Sequence, residues 1–92
     1  MKIEKLRKKN VEIGIQIKAI IPSNTSSKIY VPVQKSKYFK IEVNDKEIWK
    51  NGKFLPIDSN INFEKNLDNY ILLEFKSGSY TINATKENLA EL

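Results

Sequence analysis

The sequence predicts an all-β domain, an antiparallel two-sheet sandwich of Greek-key or jelly-roll kind with short irregular or helical termini. Three observations predict it. Apolar residues recur at every second position in several segments, turn-forming residues separate those segments, and no stretch carries a helical apolar period of useful length. A chain of 92 residues with 3 Gly and 3 Pro is one domain in size, divided by pattern into a basic lead-in over 1–10, a sandwich over 11–84 and a tail over 85–92.

Val11, Ile13, Ile15, Ile17 and Ala19 alternate with Glu12, Gly14, Gln16 and Lys18, the period of a strand with one buried face. Proline, Asn, Thr and Ser then crowd residues 22–27, where a reversal of the chain is expected. Ile29, Val31 and Val33 make a second apolar face with Tyr30 and Pro32 on the other side, and a proline there points to an edge or a bulge. Phe39, Ile41 and Val43 repeat the alternation until Asn44-Asp45 turns the chain. Asn51-Gly52 between Ile48-Trp49-Lys50 and Lys53-Phe54 is a hairpin signal, because a type I′ turn needs positive φ twice and Asn-Gly tolerates it. Ile61 and Phe63 read as a short strand. Residues 70–75 are apolar enough to be central, and Ser77-Gly78-Ser79 is expected to turn them into a last hairpin with Tyr80, Thr81 and Ile82. Beyond Ala84 the pattern lapses, and Thr85 is placed as the cap of a short turn reaching Leu89.

The chain has no Cys and no His, which removes thiol nucleophiles, Cys/His zinc sites, the Ser-His-Asp triad and imidazole relays. The formal charge is +5, but the first nine residues alone contribute +4 through Lys2, Lys5, Arg7, Lys8 and Lys9 against Glu4. Residues 10–92 are nearly balanced, with 11 basic and 10 acidic side chains between them. A duplex-binding face would gather cations on the folded body, so this distribution argues for a solvated basic arm and against a nucleic-acid partner. Apolar runs are short, such as Ala19-Ile20-Ile21 and Tyr70-Ile71-Leu72-Leu73, and Asn10, Glu12 and Gln16 break what would be a signal peptide's apolar stretch. The expectation is therefore no membrane partner and a cytoplasmic location, the place of synthesis.

Taken together, residues 15–33 (IQIKAIIPSNTSSKIYVPV), Lys50-Asn51-Gly52-Lys53 before Leu55, and residues 70–82 (YILLEFKSGSYTI) resemble the C-terminal β-sandwich domain of bacterial α-L-rhamnosidases. That family's domain carries an I-P-x-N-T turn, a V-x-V-P-like strand, an x-N-G-K hairpin and a G-S-Y closing strand. Here the matching pieces are Ile21-Pro22-Ser23-Asn24-Thr25 and Ser77-Gly78-Ser79-Tyr80 above all. The strand-like stretch over 38–43 and the basic first nine residues depart from the pattern. The resemblance implies a non-catalytic accessory domain of a glycoside hydrolase, packing against a catalytic domain. The family's catalytic carboxylates belong to an (α/α) barrel to which nothing in this chain corresponds, so no catalytic residue carries over. Nothing among Glu42, Asp45, Glu47, Asp58, Glu64, Asp68 and Glu74 signals an opposed inverting pair.

No cofactor or metal is expected, since neither a phosphate loop nor a metal-ligand spacing is present. The candidate contacts for a partner domain or a sugar are Tyr30, Pro32, Tyr38 and Trp49. Trp49 has opposite parity to Ile48, which puts it on the hairpin's second face, as a core or covering residue or at a partner interface. Phe39, Phe54, Phe63, Phe75 and Tyr80 belong to the core or its margin. An isolated domain with an exposed apolar face is expected to self-associate. Two other readings stay open: an independent carbohydrate-binding module, which needs two coplanar exposed aromatics, and a small intracellular interaction or inhibitor protein using the basic arm.

Overall fold

The computed structural model of the chain describes residues 1–9, 11–33, 39–50, 52–67 and 69–86, and these are all-β without a helix. The strands are β1 (Lys2–Lys8), β2 (Val11–Pro32), β3 (Phe39–Val43), β4 (Lys46–Lys50), β5 (Lys53–Phe54), β6 (Ile61–Asn66) and β7 (Tyr70–Lys86). All pairings are antiparallel in one seven-stranded sheet of order β1-β2-β7-β3-β4-β5, with β6 also on β7.

The two long strands are the main departure from the sequence reading. Residues 22–27 do not reverse the chain, and Ser77-Gly78-Ser79 do not make a hairpin. They lie opposite one another in a single ribbon, where Ile21 pairs Gly78 and Ser26 pairs Lys76. The four residues between on β2 therefore face only Ser77 on β7. Turn chemistry at matching levels of both strands interrupts the ladder instead of ending it: Asn24 sits at φ 61° and Thr25 Oγ1 donates to the Pro22 carbonyl at 2.7 Å. Tyr80 covers the interruption, its ring 4.9 Å from Phe75 and its hydroxyl donating to the Lys76 carbonyl at 2.7 Å.

This interruption divides the sheet into two arms. The broad arm holds β1, the first part of β2, the last part of β7 and β3 to β5; the narrow arm holds the last part of β2, the first part of β7 and β6. A straight strand of 22 residues like β2 would run about 70 Å at ~3.3 Å per residue, whereas the longest dimension of the molecule is 42 Å. Trp49 of β4 and Phe63 of β6 make the same point. Laid flat, β7 would separate their levels by about 35 Å at that rise, yet their rings stack 5.6 Å apart. The arms close over one core, built from Ile17, Ala19, Ile21, Ile29 and Val31 of β2 and Ile71, Leu73, Phe75, Tyr80, Ile82 and Ala84 of β7, with Ile41, Val43, Ile48, Trp49 and Ile61. Both ribbon strands keep their apolar set inside on each side of the interruption, because the extra residues shift the β2–β7 register by an odd number and restore the facing parity.

Two local expectations hold as read. Trp49 pairs Phe54 and Lys50 pairs Lys53 across a two-residue loop in which Gly52 has φ 77°, while Asn51 lies outside the described residues. Asn44 and Asp45 turn β3 into β4 with φ 50° and 67°. The Asn44 side chain also extends the sheet, accepting from Thr81 N–H at 2.9 Å and donating to the Ser79 carbonyl at 3.2 Å. The termini differ from expectation. Residues 2–8 are no free arm but an edge strand, largely exposed, whose Ile3 pairs Ile17. Thr85 caps no turn: it lies buried in β7, opposite Gly14 and Lys40. The expected turn from 87 onward lies outside the described residues.

Candidate functional site: an aromatic outer face

In the narrow arm, alternation sends Ile29 and Val31 of β2 and Ile71, Leu73 and Phe75 of β7 to the core. The even-numbered residues between them go outward. Tyr30 pairs Leu72 and Pro32 pairs Tyr70, so four apolar or aromatic side chains sit together on the outer face. Tyr30 is 56% exposed and Tyr70 45%, and their rings meet edge to face at 6.2 Å and 87°. Pro32 and Leu72 are half-buried beside them. Charges flank this centre at one end and on the β6 side: Lys28 pairs Glu74 across the ribbon and lies 4.0 Å from the Glu64 carboxylate, and Lys65 pairs Leu72 from β6. The last part of β2 is a free edge among the described residues, with Pro32 removing one ladder donor there.

Of the expected contacts, Tyr30 and Pro32 are thus brought together, and Tyr38 lies outside the described residues. Trp49 goes elsewhere: its core reading holds, and the partner or sugar contact drawn for it is corrected. The β3–β4 register slips between Ile41 and Glu42, leaving Ile48 as an extra residue. The bulge turns both Ile48 and Trp49 inward, at 1% and 6% exposure. There Trp49 stacks on Phe63, which also stacks on Phe54 at 5.8 Å. The strand over 70–75 is central as expected, but Tyr70 and Leu72 on its outer face were not singled out from the sequence. Their signal was present: they share parity with Glu74, which has no place in a core.

The outer face of the broad arm is mostly polar, with Ile20 exposed upon it. Gln16 Nε2 donates to Asn83 Oδ1 at 2.9 Å, Lys40 lies 3.4 Å from Glu42, and Lys2 lies 2.8 Å from Glu4. The Lys2 ammonium, hydrogen-bonded to Glu4, holds that carboxyl below the usual carboxylate range and is itself raised by it. A shallow depression of about 600 Å³ is lined by Lys2, Lys18, Ile20, Asn44, Ser79 and Thr81, with no acid among them. Among the described residues no three His, Cys, Asp or Glu side chains gather into a metal-binding group, and no helix is long and apolar enough to cross a membrane.

A scan against protein-family models finds no match, and searches of curated proteins and of solved structures find none either. The resemblance to rhamnosidase accessory domains therefore rests on its motifs alone. Its two most specific pieces, residues 21–25 and 77–80, are the pieces that meet at the ribbon interruption.

Proposed function

We propose that the chain is a non-catalytic packing module that seats the outer face of its narrow arm against a partner protein domain, its two arms serving as the layers of a sandwich-like support. The observation that carries this is the Tyr30–Tyr70 pair, set between Pro32 and Leu72 and flanked on two sides by Lys28, Glu64, Glu74 and Lys65. An aromatic centre beside a charged rim is the composition of a protein interface, and tyrosine supplies contact area at little cost in side-chain entropy. A glycoside hydrolase catalytic domain is one such partner, proposed from the resemblance. The motifs behind it support shared turn chemistry and add nothing about the partner's activity.

A carbohydrate-binding module is the weaker reading. Exposed Tyr30 and Tyr70 stand perpendicular, so they offer no flat platform for a sugar ring, and the near-parallel rings of Trp49, Phe54 and Phe63 are spent on one another.

The test is site-specific photo-crosslinking in the cells that make the protein, with a photoreactive residue at Lys28 on the rim or at Lys18 on the polar face. One protein captured from position 28 and absent from position 18 is the expected result; equal capture from both overturns the reading. In isolation the wild type is expected to self-associate with concentration in sedimentation experiments, and a Tyr30→Ser/Tyr70→Ser variant to remain monomeric.

A further inference from the structure

A second surface, independent of the aromatic face, has a partner chemistry written into its charge. Among the described residues β1 is paired on one side only, by β2, so the N–H and C=O groups along its other side are open. On the core side of the sheet Ile3 pairs Ile17 and Lys5 pairs Ile15. Ile17 is 1% exposed while Ile3 is 58% exposed, because the apolar layer stops where the sheet stops. The strand carries Lys2, Lys5, Arg7 and Lys8 against Glu4.

We propose that the open edge of β1 takes an acidic, extended segment of a partner protein as an added antiparallel or parallel strand, with main-chain hydrogen bonds to β1, an apolar side chain over Ile3 and carboxylates beside the lysines and Arg7.

Charge decides between this occupant and its competitors. A second copy is disfavoured: antiparallel pairing of two β1 strands centred on Lys5 sets Lys2 against Lys8, Ile3 against Arg7 and Lys5 against Lys5. The lysines that guard the edge against its own kind are the ones that admit a strand of opposite sign. A nucleic acid laid on one face of the sheet meets only part of the positive charge, since Lys2 and Lys5 project to opposite faces. A strand added in the plane of the sheet reaches both.

The experiment uses the full chain and a fluorescein-labelled heptapeptide alternating Glu and Val, read by fluorescence anisotropy and by hydrogen exchange of the β1 amides. The expected result is saturable binding with slowed exchange along β1. The same peptide N-methylated at two consecutive central residues keeps its charge but loses a donor on each edge, and is expected to bind about tenfold or more weaker. A Lys-Val peptide is expected not to bind. Lys5→Glu with Arg7→Glu is expected to weaken binding about tenfold, whereas Lys46→Glu with Lys53→Glu, an equal charge change on β4 and β5, leaves it nearly unchanged. Circular dichroism establishes that both variants are folded, and if the β1 variant is not, the N-methylated peptide decides. Equal affinity of the methylated and unmethylated peptides, equal loss in both charge variants, tighter binding of oligothymidine than of the Glu-Val peptide, or no binding at all would each overturn the proposal.

Discussion

Replacing Tyr80 by Phe isolates one atom at the point where the ribbon is interrupted. The ring stays, at 6% exposure and 4.9 Å from Phe75, so the burial it contributes is retained. What goes is the hydroxyl that donates to the Lys76 carbonyl at 2.7 Å; its contact with the Ser77 carbonyl, at 3.4 Å, is too long to add much. Lys76 and Ser77 are exposed, and water can satisfy their carbonyls in the variant. The loss is therefore that of an ordinary hydrogen bond, about 1 kcal/mol, or ~4–8 °C in Tm for a domain of this size. Tyr80→Ala, which also empties the site, is expected to cost about 3–5 kcal/mol.

A pH series adds a sign. Burial, and to a smaller degree the Asp58 carboxylate, pushes the Tyr80 phenol above its ordinary 10.0. The unfolded chain then loses this proton at lower pH than the folded one, so the associated stability is complete below pH 10.0 and falls as pH rises from there through the folded value. Urea unfolding at pH 7 and at successive steps above 10 measures both effects. The wild type is expected to lose stability faster than Tyr80→Phe over the alkaline steps, narrowing the gap between them. A variant as stable as wild type at pH 7, or one with an identical alkaline slope, would refute the assignment of Tyr80 as a buried clamp.

Gly14→Ala is expected to destabilise by about 3 kcal/mol or more in denaturant titration, because an added Cβ lands on the Ala84 carbonyl oxygen and 2.8 Å from Thr85 Cα, both backbone. Thr85→Val is expected to leave stability unchanged or raise it by up to about 1 kcal/mol: Thr85 Oγ1 is buried without a hydrogen-bond partner, and the replacement keeps the shape. Phe63→Ala removes the ring that joins the arms, two stacked contacts at 5.6 and 5.8 Å, and is expected to cost about 2 kcal/mol despite 39% exposure and to raise Trp49 fluorescence quenching by acrylamide.

Alternation made the strands legible. Over 15–19, 29–33 and 41–43 the apolar period named residues that the core uses, and Asn51-Gly52 named its hairpin. Half of the candidate face was legible for the same reason: Tyr30 and Pro32 oppose Ile29 and Val31 by parity alone. Tyr70 and Leu72 were obscured because a central strand rich in apolar residues on both parities does not show which set faces out, whereas this one is covered on its core face and open on the other. For Trp49 parity left core and interface both open, because parity fails across a bulge, and a bulge is a property of two strands in register.

By itself, then, the sequence determined which segments extend, which side chains of each seek the interior, and that chemistry based on Cys or His is absent. Those are local properties, fixed by spacing and by side-chain type. Only the tertiary structure decided that the Pro22 and Gly78 segments face each other within one ribbon, that residues 2–8 form its edge, and that the arms close with Trp49 on Phe63. The physical reason is that a turn-forming residue lowers the cost of leaving the extended ladder without choosing between reversing the chain and bending it. That choice belongs to the partner strand, and the partner lies more than fifty residues away.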